Sequence, residues 1–587
     1  MLLSGILLAL CVSAQTVDAI SLPDPTNYVQ PFPMAHCQGL VLEDAGVAQI
    51  QSWYDSGVLT VRQLVSCYMA RIAQIDSYVN AVMELNPDAL DIADELDQEL
   101  KAGKKRGPMH GIVVLVKDNF ATADKMQTTA GSLALIGSIV PRDAHVVHLL
   151  RKAGAVILGH AGMSEWADMR SSSYSEGYSP RGGQVRNSYN LTQEPGGSSS
   201  GSGHSVTTNM VTVAYGTETD GSVISPAERS NIVGIKPTVG LTSRSGIIPE
   251  SGHQDTVGAF GRTVEDAAYA LDAIWGFDWR DDATLEQLGK TPDNYVQFVS
   301  TKTALKGMKV CRNSMGAFMA GIHNHQPTSS APRGCRYSST GNMVSKCITT
   351  PIINTSRKSF LRMDGIGPTV LRIKVKARSL MYVLLLTVLR TLPDEHQVDF
   401  YNNIRAYLSE LGNTTIRSLE DLVAFNDAPK NLASEGGEPD IAAAFASGQD
   451  GFLASLATKG IENSTYKQAL TWCRRTSRVD GIDYALNPVI DGQVVHLDAL
   501  LTPSDDNSAG TNIPAQAGYP IITVPVGIDE WHTPFGLSFV GTAFSEPTLI
   551  KLASAAQDAL GNRRVKPTFY EYNATNIPVN WAIGTYQ

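Results

Sequence analysis

Four features are missing from this 587-residue chain: a basic block, a Cys-x-x-Cys pair, an internal repeat and an apolar run long enough to cross a bilayer. With no basic block and a net charge of −10, the surface offers no electrostatic footprint to a polyanion, and nucleic acid is not expected as a partner. With no Cys-x-x-Cys pair, a zinc or dithiol centre lacks its usual ligands. His145 and His148, three apart, have no further ligands beside them and read as a surface pair, so no metal is expected. Without a repeat, an array of small stacked units is set aside. A bilayer span needs about 20 apolar residues; the runs at 1–14 and 379–389 are shorter, and no membrane span is expected.

What is present is ordinary globular composition, 43% hydrophobic and 18% charged, enough for a large buried core. Residues 1–14 form a short apolar run that closes on the small-x-small site Val12-Ser13-Ala14, without a basic start. This pattern predicts a signal peptide and a secreted protein. Five Asn-x-Ser/Thr sequons, at Asn190, Asn354, Asn413, Asn463 and Asn573, agree with a glycoprotein. Of the seven cysteines, Cys11 leaves with the signal peptide. The other six read equally as buried thiols or as one or more disulfides.

Along the chain, residues 15–40 are rich in proline and polar groups and read as an extended lead-in. Thr60 and Gln63 form a capping box, behind which Leu64, Val65, Tyr68, Ile72 and Ile75 recur at helical spacing. A second amphipathic helix is expected over 88–100, closed by a solvated basic turn at 101–108. Ile112–Val116 is a continuous apolar run, as in a strand buried on both faces. Asp143 is expected to cap a helix reaching Lys152, with a strand following at 155–159. Strand, helix and strand in that order predict a parallel crossover unit. Residues 171–205 read as a polar loop. Further strands are expected at 498–503 and 521–525, and a closing helix at 548–560. Residues 312–390 lose all periodicity between two patterned flanks and read in part as a gene-model error, such as a retained intron. The last residues read as a loose tail.

The chain is organised around residues 196–226. Gly196-Gly197-Ser198-Ser199-Ser200-Gly201-Ser202 opens the stretch, Val211–Tyr215 is apolar, and Gly216-Thr217-Glu218-Thr219-Asp220-Gly221-Ser222 follows. Read physically, this is a loop, a short buried strand and a second tight loop, each loop ending in exposed hydroxyls. Glycine permits close backbone approach, and successive N–H groups in such a turn can hold an oxyanion. A flexible linker would not enclose a β-branched strand.

This stretch resembles the signature of the amidase signature family, serine hydrolases with a Ser–Ser–Lys triad. Further matching pieces are Gly111–Asn119, Ser164–Ala167, Gly234–Thr238, Ala517–Pro520 and Gly536–Phe539. The resemblance covers most of 60–300 and 400–560. It implies one α/β domain over 41–560, a mixed, mostly parallel central sheet covered by helices on both faces, with 561–587 as a C-terminal tail. It implies Ser222 as nucleophile and acyl-ester site, Ser198 as proton relay and Lys117 as general base and acid. In the family the relay serine precedes a cis peptide. Backbone N–H groups of Thr219, Asp220, Gly221 and Ser222 are expected to form the oxyanion hole. Ser199, Met163 and Trp166, together with Tyr519, are candidates to line the substrate pocket.

The bare chemistry agrees. A serine hydroxyl needs a base, and Lys117 follows five apolar residues, where burial favours the neutral amine. Taken singly, Lys117 also reads as a salt-bridged surface lysine and Ser198 as a turn residue. Ser199 fits a Gly-x-Ser-x-Gly elbow, but no strand precedes it. Ser464-x-x-Lys467 lacks its companion motifs. Many relatives carry Gly-Gly-Ser-Ile-Arg at the nucleophile; here Asp220-Gly221-Ser222-Val223-Ile224 is similar to the peptide amidase branch. The missing arginine removes the basis for carrying over an acidic-substrate preference. Ala259 replaces a frequent proline and is expected to loosen its loop. The expected reaction is cofactor-free hydrolysis of a small-molecule amide or peptide amide. Alternatives are an esterase on the same site and an inactive relative. Oligomeric state is not legible.

Overall fold

The computed structural model describes residues 31–312, 347–349, 370–373, 395–429, 431, 444–490, 493–504, 510–529, 531–561 and 564–571. The expected signal peptide, the sequons at Asn354 and Asn573, and nearly all of the expected gene-model error at 312–390 lie outside these residues.

Among the described residues, one sheet of twelve strands forms the centre of the fold. In chain order its strands are β1 (Val82–Leu85), β2 (Val113–Lys117), β3 (Val156–Ala161), β4 (Val213–Glu218), β5 (Val233–Lys236) and β6 (Thr256–Gly261). They continue as β7 (Val310–Arg312), β8 (Cys347–Thr349), β9 (Val370–Ile373), β10 (Ala499–Pro503), β11 (Ile521–Ile528) and β12 (Pro534–Val540). Their order across the sheet is β1-β3-β2-β4-β6-β5-β11-β12-β10-β7-β9-β8. The sheet is mixed, as expected, but it is not mostly parallel. Four neighbouring pairs are parallel and seven antiparallel. The sequence hid this because β2, β3, β4 and β6 are buried along their whole length. Strands covered on both faces lose the polar alternation that would separate them from parallel core strands.

The crossover unit forms as read: β2 and β3 are parallel, joined through a helix, His145–Lys152. Asp143 does not cap that helix; Ala144 holds the position. The Asp143 carboxylate instead accepts from the Ala123 N–H at 2.7 Å and from Arg151. His145 faces Asp278 and Arg280, and His148 is exposed. The helix Val61–Val79 begins with the reciprocal Thr60–Gln63 box and ends at Asn80, which takes the left-handed conformation. Its expected apolar face is buried.

Three sequence readings fail for reasons of tertiary context. Residues 171–205 are not loop throughout, because Ser200–Thr207 is a fully buried helix. Serine and glycine disfavour helix. Here the hydroxyls are satisfied internally, Ser200 by the Gly196 carbonyl and Ser202 by that of Tyr215. Ala259 lies within β6, paired with Tyr215 and Ile235, so it loosens no loop. The start of the tail is docked: Phe569 is buried, and its N–H donates to the Ser188 carbonyl.

A disulfide joins Cys37 to Cys67 and ties the lead-in to the first long helix. The sequon at Asn190 is a poor glycan acceptor in this fold. Asn190 is buried, and its side-chain amide donates to the Trp531 carbonyl at 3.0 Å. Asn413 and Asn463 are exposed. Among the described residues, no helix is long and apolar enough to cross a membrane.

Candidate active site

Strands β2, β3 and β4 are parallel neighbours, so Lys117, Ala161 and Glu218 finish at one edge of the sheet. Residues just past the carboxyl ends of parallel strands are the usual place for a site in such sheets. Here they are Asp118 and Asn119, Ser164–Asp168, and Thr219–Ser222. The buried helix Ser200–Thr207 packs on the same three strands and carries Ser198 and Ser199 at its start.

Lys117 is fully buried. Its Nζ lies 2.8 Å from Ser198 Oγ, 3.0 Å from Thr217 Oγ1 and 3.4 Å from the Thr217 carbonyl. Ser198 Oγ and Ser222 Oγ lie 3.0 Å apart, within hydrogen-bond distance. Three residues 81 and 24 positions apart along the chain therefore form one continuous chain of side-chain hydrogen bonds. Burial pulls the Lys117 ammonium down to about 8, with Glu250, Asp168, Glu176 and Asp255 pulling weakly the other way. A cis peptide joins Gly197 to Ser198, on the amino side of the serine rather than after it. Both loops were expected to expose their hydroxyls. Instead Ser198, Ser199 and Ser200 are fully buried, and Ser222 is 5% exposed.

The turn that carries Ser222 is closed from within. Glu218 Oε2, at the end of β4, accepts from the N–H groups of Val223 at 2.7 Å and Ile224 at 2.9 Å, just beyond Ser222. Among the described residues, no protein group accepts from the backbone N–H of Thr219, Asp220, Gly221 or Ser222. Gly221 has φ +85, and a side chain there would also crowd Thr511.

Acidic groups surround the lysine. Ser164 Oγ donates to Glu176 at 2.8 Å. Asp255 accepts from the N–H groups of Glu250 and Ser251 and from Thr219 Oγ1. Burial raises Asp168 to about 6, and raises Glu176 and Glu250 well above the usual carboxylate range. Directly after Lys117, Asp118 accepts from His160 Nδ1 at 2.8 Å, from Arg181 at 2.9 Å and from the Gly131 N–H at 2.9 Å. Burial pushes this carboxyl up, but Arg181 and His160 outweigh it and hold it low.

A family model described as Amidase matches residues 63–313. An amidase-family protein of Schizosaccharomyces pombe is 48% identical over 97% of this chain and 94% of its own length. One of Arabidopsis thaliana is 39% identical over 88% and 90%. The chain belongs to the amidase family. It is a hydrolase acting on carbon–nitrogen bonds. Among solved structures, native peptide amidase from Stenotrophomonas maltophilia superposes with a TM-score of 0.71 at 33% identity, covering 91% of this chain and 99% of its own. A peptide amidase complex with the competitive inhibitor chymostatin gives 0.71 at 34%, covering 89% and 99%.

Of the residues singled out in this amidase, Lys117, Ser198 and Ser222 come together, with the Thr219–Ser222 turn beside them. Of the expected pocket residues, Ser199 touches this cluster, while Met163, Trp166 and Tyr519 have other packing partners. Met163 is fully buried in the main core, and Trp166 packs edge-on against Phe452. Ser199 braces the site from behind: its hydroxyl donates to the Thr217 carbonyl, and its N–H to the Ser222 carbonyl. Tyr519 donates to Asp483 and stacks under Arg478. Large apolar residues are more often core than pocket, and here packing claims them. Ser464 and Lys467 are exposed on a surface helix.

Sequence reasoning passed over Thr217, Glu218 and Asn119. All three lie inside the matching motifs. Their residue types gave no signal, because a threonine or glutamate at a strand end is ordinarily structural. Only the side-chain partners mark them.

Proposed function

We propose that this amidase cleaves a carboxylic amide to an acid and ammonia or an amine through an acyl-enzyme on Ser222. The observation that carries the reading is the buried relay from Lys117 through Ser198 to Ser222, at 2.8 and 3.0 Å, with a lysine pulled down to about 8. Neutral Lys117 takes the Ser198 proton while Ser198 takes that of Ser222. Ser222 Oγ then bonds to the amide carbon, and the carbonyl oxygen takes the negative charge. In this reading the N–H groups of Thr219–Ser222, left without a protein acceptor among the described residues, hold that charge, each donor being worth about 10²–10³ in rate. As the carbon–nitrogen bond breaks, the proton held on Lys117 returns through Ser198 to the leaving nitrogen. Water repeats the sequence on the acyl ester and releases the acid.

Similarity to peptide amidases across most of the chain favours a peptide amide as the substrate class. The Cys37–Cys67 bridge favours an oxidising compartment, in keeping with secretion.

The test compares Lys117→Ala with the parent on an amide and on the matching ester. Amides need their leaving group protonated and activated esters do not, so amide hydrolysis should fall much further. Equal losses would remove the relay. A fluorophosphonate adduct on Ser222 is expected in the parent; its absence would mark an inactive relative.

A further inference from the structure

Among the described residues, Lys117 Nζ has three hydrogen-bond contacts, and two of them are to one residue. The Thr217 carbonyl, 3.4 Å from Nζ, can only accept. Thr217 Oγ1, 3.0 Å from Nζ, also accepts from Asn119 Nδ2 at 3.0 Å. The third neighbour is Ser198 Oγ at 2.8 Å.

A neutral lysine amine carries two N–H bonds and one lone pair. In solution the lone pair points anywhere. Here the two Thr217 oxygens offer places for the two N–H bonds, which leaves the lone pair facing Ser198. We propose that Thr217 is a positioning residue that orients the lone pair of Lys117 onto the Ser198 proton. Asn119 supports it by filling one lone pair of the Thr217 hydroxyl. Asn119 and Thr217 are both buried, so water does not compete for these bonds. The same threonine carbonyl accepts from Ser199 at 3.1 Å, which ties the amine's cradle to the start of the serine helix.

The inference rests on Lys117 acting as the base, and the experiment separates the two. Thr217→Val keeps the shape and the backbone carbonyl but removes Oγ1; Thr217→Ser keeps Oγ. Lys117→Ala is the reference. Hydrolysis of one primary peptide amide is measured for each across pH 6–10, together with the rate of fluorophosphonate labelling of Ser222.

Misaiming a reacting group costs about 10²-fold, so Thr217→Val should lose about that much kcat with KM little changed. Thr217→Ser should recover most of it. The acid limb should also move. The ammonium donates to Oγ1 more strongly than the neutral amine does, so removing Oγ1 lowers the lysine's pKa further. The limb in Thr217→Val therefore shifts to lower pH even as the plateau falls, a combination that general loosening of the fold would not give. Unchanged kcat and an unmoved limb in Thr217→Val, with Lys117→Ala inactive, would overturn the positioning role and leave the base standing. A fully active Lys117→Ala would overturn both. Should Thr217→Val lose its cooperative thermal transition, Thr217→Cys, a weaker acceptor of similar size, takes its place: a fall in kcat with a shifted limb supports the positioning role, and parent-like kcat with an unmoved limb overturns it.

Discussion

Removing the Glu218 carboxylate should open the turn that carries Ser222. Glu218 Oε2 accepts two backbone N–H groups, at 2.7 and 2.9 Å, on the far side of the turn from its own strand. The residue is fully buried. Its charge also supports Lys236, a second buried lysine that donates to the Tyr519 carbonyl at 2.7 Å. A hydrogen bond to a charged group contributes about 1.5–3 kcal/mol. Glu218→Ala strands two buried donors and should cost about 3–6 kcal/mol, a large fraction of a typical stability of about 5–15 kcal/mol. Glu218→Gln keeps an acceptor oxygen without the charge. Neutral bonds are roughly half as strong, so it should cost about half as much. The assay is urea unfolding, followed by fluorophosphonate labelling of Ser222 under conditions where each variant is folded. Labelling should slow in the order parent, Gln, Ala. A loss in Glu218→Ala below about 1 kcal/mol, with labelling at the parent rate, would refute the clamp.

Two further outcomes follow from the structure. Burial pulls Lys117 down to about 8, and in the proposed mechanism the neutral amine is the active form. Amide hydrolysis should therefore rise about tenfold per pH unit below about 8 and level off above it; a profile flat from pH 6 to 9 would contradict this. Cys67→Ser opens a bridge spanning 30 residues. It should lower stability by about 3–4 kcal/mol on the chain-entropy account, read as a shift of the urea midpoint that reductant reproduces in the parent.

The grouping of Lys117, Ser198 and Ser222 was legible in the sequence because the three sit in motifs whose order and spacing are distinctive. The supporting residues were not. Thr217 and Glu218 stand close to Ser222 in sequence, but their contacts depend on atoms contributed by Lys117, Asn119 and Val223. Asp118 could be read only as the residue after the lysine, since His160 and Arg181 reach it from elsewhere in the chain. Met163 and Trp166, read as pocket residues, are packed into the core, since an apolar side chain suits either place.

Local pattern by itself determined the helix at Val61–Val79, the buried strand ending in Lys117 and the two glycine-bearing turns, since capping, apolar periodicity and turn chemistry act over a few residues. Tertiary structure alone decided the antiparallel majority of the sheet, the helix made of serine and glycine, and the cradle around the lysine amine. Strand direction, burial of a poor helix former and hydrogen-bond partners each depend on chain segments that lie far apart until the sheet has formed.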